Sequence, residues 1–264
     1  MRDSATPALA DITIRAAVSG EIRRRAVVEQ RCLEIVTALL GWSCRSGRDP
    51  FVWTVGGRHP AGLPDAKERI VRKLVVIEFL SLDGVMQSPG SPDEDPDGGF
   101  EHGGWQRPYV DDVLGAAAVK GMAGTDAYLF GRITYEGMAR YWPTAPADDP
   151  FAAHLNPTPK YVASTTLPSL SWQNSILIEG DVPAAVADLK KRDGGNIAVL
   201  GSGTLVHALM ENDLIDEYRL FVQPLVLGSG KRLFRGSDQV RRLRLVDSAT
   251  TGTGGLILTY HPAR

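Results

Sequence analysis

Residues 196–209 read NIAVLGSGTLVHAL, and this stretch decides the fold class. The run 196–200 has the length and apolar content of a buried strand, Gly201, Ser202 and Gly203 interrupt it, and from Thr204 to Glu211 the apolar residues recur at helical spacing. Strand, glycine turn and helix start in that order leave unpaired backbone N–H groups and the positive end of a helix dipole facing one point, which suits a bound anion. The same arrangement occurs at 126–138, DAYLFGRITYEGM. There Gly131 allows close backbone approach, Arg132 supplies a planar cation for a phosphate, and Thr134 can cap the helix or donate a hydroxyl. Both junctions read as phosphate sites. The Rossmann fingerprint GxGxxG is not met at Gly201, because Val206 stands where the third glycine belongs.

Short apolar runs between Gly, Pro, Asn and Asp punctuation predict further strands at 73–80, 126–130, 160–164 and 175–179, with helices over 109–122, 182–192 and 204–211. The last third holds strands at 217–226, 241–248 and 255–260 with no helix between them. An α/β fold follows, in which a mostly parallel central sheet gains an antiparallel C-terminal edge and carries helices on both faces.

The chain has 264 residues, 43% apolar and 23% charged, enough for a buried core, and its formal charge of −2 lacks the basic surplus of a nucleic-acid or membrane-surface protein. No apolar run reaches the length of a membrane span, and the N-terminus does not read as a secretory signal, so a cytoplasmic protein is expected. The two cysteines, Cys32 and Cys44, lie in the first quarter, and the five histidines lack metal-ligand spacing. No HxE followed by PCxxC is present, which disfavours a zinc deaminase. No metal is expected.

Residues 1–70 read as a poorly structured or partly helical extension, with one apolar stripe over 21–40. The domain proper is expected over 71–264, opening at Val71 as an overlong reading frame would.

The segments FLSLDGVM (79–86), GRITYE (131–136), KYVASTT (160–166), VLGSGTLVHAL (199–209) and LVLGSGKRLF (225–234) stand in one order. Together they resemble the dihydrofolate reductase superfamily, and within it the C-terminal reductase domain of the bifunctional riboflavin-biosynthesis deaminase-reductase. The resemblance implies a three-layer fold and an NADPH-dependent reductase, similar to 5-amino-6-(5-phosphoribosylamino)uracil reductase, that passes a hydride to a pterin- or pyrimidine-like molecule. It implies that Gly131, Arg132 and Thr134 hold cofactor phosphates, that Ser164 and Thr165 face the adenosine ribose and its 2'-phosphate, and that Gly201, Ser202, Gly203, Thr204 and Leu205 lie along the pyrophosphate and nicotinamide half. It also implies a homodimer. Arg132 with two hydroxyls favours NADPH over NADH.

The same resemblance places Asp83 and Gly84 beside the nicotinamide, although an Asp-Gly pair also forms turns for its own sake. Residues 88–108, SPGSPDEDPDGGFEHGGWQRP, are too polar for core and read as a lid or binding loop. Trp105 and Tyr109 could stack on a flat substrate, and Asp83, Asp111 and Tyr109, in that order, are candidate proton donors. Asp111 and Asp112 equally suit the first turn of a helix. Asp93, Asp95, Asp97 and Gly98 imitate the opening of a calcium loop, but Gly104 stands at the twelfth position and Pro96 interrupts the turn. An alternative is a non-catalytic NADPH or nucleotide sensor with the loop as its contact surface.

Overall fold

The computed structural model describes residues 72–235 and 239–263; the extension 1–70, its expected helix and the start at Val71 lie outside the described residues. Among the described residues, eight strands form one sheet: β1 (Leu74–Ser81), β2 (Thr125–Gly131), β3 (Lys160–Ala163), β4 (Ser175–Ile178), β5 (Asn196–Leu200), β6 (Glu217–Gln223), β7 (Leu243–Thr250) and β8 (Leu256–Pro262). Their order is β4-β3-β2-β5-β1-β6-β8-β7. Every pairing from β4 to β6 is parallel, and β8 and β7 add antiparallel at one edge. The α-helices are α1 (Asp112–Met122), α2 (Arg132–Tyr141), α3 (Pro150–Leu155), α4 (Val182–Lys190) and α5 (Gly203–Glu211). This is the dihydrofolate reductase-like architecture expected.

Alternation along the strands sorts the core into two layers. Leu74, Val76 and Leu80 of β1 pack with Leu129, Ile197 and Val199 against Val186 and Leu189 of α4 and Leu205, Val206 and Leu209 of α5. On the other face Tyr128, Phe130, Val162 and Ala198 pack against Tyr135 of α2 and Leu155 of α3. Connections that run from β1 towards β3 put their helices on one face. Those that run back, β4 to β5 and β5 to β6, put theirs on the other, as a shared crossover handedness requires.

Local chemistry explains the boundaries. The helix expected at 109–122 starts at Asp112, since Asp111 takes the N-cap position and accepts from the Leu114 N–H at 2.8 Å, and residues 107–109 form a 3-10 turn around Pro108. The strand expected to reach 226 stops at Gln223, before Pro224, which has no N–H to give a ladder. Helix α3 was not anticipated, although Asp149 caps it and Pro150 opens it. The C-terminal end of α3 is closed by Lys160, whose fully buried Nζ donates to the carbonyls of Leu155 (2.8 Å), Asn156 (3.1 Å) and Thr158 (2.6 Å) and lies 4.4 Å from the centre of the Trp172 ring. No helix of the described residues is long and apolar enough to cross a membrane.

Candidate functional site

Because β1 to β6 run parallel, their C-terminal ends share one edge, and the helices that follow the neighbouring strands β2 and β5 leave towards opposite faces. The crevice between two such helix starts is where open α/β sheets take ligands. Both glycine junctions of the sequence lie here, and they touch. Gly131 N–H donates to Ser202 Oγ at 2.9 Å, and Ser202 N–H donates to Thr134 Oγ1 at 3.0 Å. This reciprocal clasp joins segments about 70 residues apart in the chain. It also assigns Gly131, Ser202 and Thr134 a role that the sequence did not reveal: their polar atoms hold the two junctions together. Ser202 itself has φ of +62°, unusual for a residue with a side chain, and its Oγ donates back to Leu200 O at 3.2 Å.

The clasp leaves the first turns of α2 and α5 open. Aspartates cap α1, α3 and α4, at Asp111, Asp149 and Asp181, whereas neither α2 nor α5 has a side-chain cap. Two helices with uncovered N–H groups thus start side by side at the switch point, an electrostatic setting for a diphosphate. Arg132 stands at the first position of α2, exposed, with Glu136 one turn on at 3.1 Å. Thr204 is exposed in the first turn of α5, and Leu205 is buried beneath it. Beyond β3, Ser164 Oγ accepts from the N–H groups of Thr166 and Leu167 at 3.2 and 3.1 Å, leaving its proton free to donate outward, and Thr165 is exposed beside it.

The expected proton donors are placed differently. Asp83 makes contacts with Ser81 Oγ (2.7 Å), the N–H groups of Leu227 (3.1 Å) and Gly228 (2.9 Å), and Arg232 (3.1 Å). Burial alone would raise its pKa, but these donors outweigh burial and hold the carboxyl well below the usual carboxylate range. An aspartate so held has no proton to give at neutral pH; it fastens the turn after β1 to the segment after β6. Asp111 is likewise held low, chiefly by the Leu114 N–H, and caps α1 while Thr253 N–H also reaches it at 3.2 Å. Tyr109 is half-buried, its carbonyl accepting from Thr253 Oγ1 at 3.0 Å.

Trp105 is 7% exposed, packs with Val85 and Phe100, and donates its indole N–H to Gln87 O at 2.7 Å. That leaves it little face for stacking and makes it the core of the 88–108 loop. Gln87 Nε2 donates to the carbonyls of Asp95 and Asp97, both at 2.9 Å, and the carboxylates of those residues close on Lys231 Nζ at 2.8 and 2.9 Å. The calcium-like spacing therefore serves a lysine.

One acid escaped the sequence reading. Glu78 lies in the middle of β1, 3% exposed, and burial followed by the like charge of Glu94 raises its pKa well above the usual range. A lone glutamate in VVIEFL reads as a solvent-facing strand position; the fold buries it.

The sign of the Asp83 effect gives a test. A depressed carboxylate stabilises the fold above its unfolded pKa near 3.9, and that contribution is lost as pH falls through the folded value. Asp83→Asn is expected to lower stability by about 2 kcal/mol at pH 7, with a constant gap to wild type above roughly pH 5 that narrows below about pH 4; denaturant melts across pH 2.5 to 8 (roughly the range of the transition) check it.

The fold and the crevice define an α/β protein of the dihydrofolate reductase-like class. The chain belongs to the RibD C-terminal domain family, whose model matches residues 72–257. It is 28% identical over 199 residues to the uncharacterized protein YyaP of Bacillus subtilis, spanning 72% of this chain and 95% of YyaP. Solved structures that share the fold include the following two. A putative riboflavin biosynthesis protein from Shewanella sp. PV-4 superposes with a TM-score of 0.53 at 22% identity, covering 73% of this chain and 99% of its own. A pyrimidine reductase-like protein from Corynebacterium diphtheriae gives 0.54 at 13% identity, covering 73% and 92%. The chain carries a reductase-type fold.

Proposed function

We propose that this chain is an NADPH-dependent oxidoreductase that reduces a small heterocyclic substrate of pterin or pyrimidine type. The observation that carries the reading is the pair of uncapped helix starts, α2 and α5, clasped together at the switch point while the other three α-helices carry aspartate caps. The residues fit a dinucleotide phosphate. The open N–H groups of both first turns would bind the pyrophosphate, and Gly201 leaves the backbone bare where a Cβ would stand 3.0 Å from Thr134 Oγ1. Arg132, Ser164 and Thr165 would take the 2'-phosphate, one cation with two hydroxyls. When bound, the cofactor supplies the hydride, and the protein's part is to orient it and exclude water.

The substrate class draws on the two structural relatives, a putative riboflavin biosynthesis protein and a pyrimidine reductase-like protein. The protein works in the cytoplasm on a small molecule, without nucleic acid or membrane as partner. It pairs with a second copy through β7, an edge strand exposed along most of its length, with Leu245 and Val246 both exposed.

Titration with NADPH and separately with NADH, followed by nucleotide fluorescence, tests the cofactor reading. The expected result is a clear preference for NADPH that falls by about tenfold or more in Arg132→Ala, the loss of one charge-assisted contact. Absence of binding by either nucleotide would overturn the reading. Oxidation of NADPH that speeds up on addition of pterins or aminopyrimidines would then separate a reductase from a sensor.

A further inference from the structure

Glu78 is the one ionisable side chain on β1. Its neighbours on the same strand face, Val76 and Leu80, belong to the apolar layer beneath α5 together with Met86, Leu205 and Val206, so the carboxyl enters that layer. Ile77 is the last β1 residue to pair with β5, opposite Leu200, whereas Glu78 pairs with Leu220 of β6. Glu78 therefore stands where β5 has already turned away into Gly201 and the start of α5. Burial first and the like charge of Glu94 second both raise its pKa, so its surroundings among the described residues favour the protonated carboxyl. Among the described residues its Oε1 has no hydrogen-bond partner. Buried polar atoms in folded proteins are almost always paired, and an exception of this kind at the lip of a crevice points to a group that arrives from outside.

We propose that Glu78 recognises the carboxamide of the nicotinamide ring, a reading that rests on the NADPH assignment above. With the pyrophosphate at the β2–β5 crevice and the adenosine half towards Ser164 at the end of β3, the other half of the dinucleotide runs towards β1, the next strand beyond β5. Strands lie about 4.8 Å apart, so the step from β5 to β1 is the width of one ring. A neutral carboxyl offers one O–H donor and one C=O acceptor side by side, which match the acceptor and donor of a primary amide. Met86 belongs to the same apolar layer and packs at the start of α5. Its Sδ lies 3.0 Å from where a Cβ on Gly203 would stand, and an unbranched thioether can rotate aside as a ring enters.

Calorimetric titration of the full chain with three probes tests the assignment: NADP+, its deamido analogue bearing a carboxylate in place of the carboxamide, and 2',5'-ADP, which lacks the nicotinamide. Wild type is expected to favour NADP+ over the deamido analogue by about tenfold, the effect of one to two hydrogen bonds. Glu78→Gln, which keeps a donor and an acceptor, should retain that preference. Glu78→Leu should lose it while binding 2',5'-ADP as wild type does. Preference unchanged in Glu78→Leu overturns the assignment, and so does an equal loss of 2',5'-ADP, which would mark a general distortion of the crevice. Wild type that binds 2',5'-ADP without discriminating the other two overturns the role of Glu78 alone; failure to bind any of the three removes the cofactor reading itself.

Discussion

Gly201→Val is expected to weaken NADPH binding by about a hundredfold or more, equivalent to losing two or more charge-assisted hydrogen bonds at the pyrophosphate. The position has φ of +57°, where a side chain costs about 1–2 kcal/mol and a β-branched one is a genuine outlier. Its Cβ would stand 3.0 Å from Thr134 Oγ1 and 3.2 Å from Thr134 Cγ2, so the added methyls push directly on the group that accepts the Ser202 N–H. The contact between Ser202 and Gly131 is then displaced as well, and the starts of α2 and α5 move apart. Gly201→Ala, which carries the strain without the extra methyls, should fall between wild type and the valine variant. Fluorescence titration beside a thermal melt distinguishes the site from the fold. A Gly201→Val protein that binds NADPH like wild type would remove the junction from the cofactor site.

Lys160→Met should be the costliest single change for stability, about 3–4 kcal/mol, because buried carbonyls without a donor cost roughly 1–3 kcal/mol each. Leu155 O and Thr158 O have no other donor among the described hydrogen bonds, whereas Asn156 O retains Gln173 and Asn174 at 3.2 and 3.4 Å. Methionine fills a similar volume, which isolates the lost donor from a cavity. For a domain of this size the melting temperature should fall by roughly 10 °C. A drop of only a degree or two would mean that the three-carbonyl seat adds little. Cofactor affinity should hold, since Lys160 pairs opposite Tyr128 at the start of β3, three residues before the end of that strand.

The junctions were legible because their signal is local: strand, glycine and helix start are consecutive in the chain, and the helix expected from Thr204 begins at Gly203; the helix after Gly131 begins at Arg132, ahead of Thr134, which does not cap it. The same holds for the antiparallel edge, announced by three strand runs without a helix between them. The clasp was not legible, because nothing in GRIT or GSGT says that Thr134 will receive Ser202. Asp83 misled for the same reason. Its partners at Leu227, Gly228 and Arg232 are about 145 residues away, and without them an Asp-Gly turn beside a cofactor reads as chemistry. Trp105 looked like a stacking surface because an exposed-looking polar loop surrounds it, whereas Phe100 and Val85 give that loop a core of its own. The burial of Glu78 depends on what the fold lays over that face of β1, a fact of topology that a run of six residues does not contain.

The position of β5 between β2 and β1 has a consequence for a chain still leaving the ribosome. Until residue 200 has emerged, β1 and β2 both present bare edges, and each is open to a strand from another molecule. Neither half of the crevice exists in isolation, so a nucleotide cannot rescue a partial chain by binding to it early. Insertion of five residues, Asn196–Leu200, closes both of these facing edges, and Ser202 with the start of α5, directly after it, completes the crevice. Slow or mistimed synthesis just before that segment should therefore show itself as insoluble protein rather than as soluble protein with weak affinity.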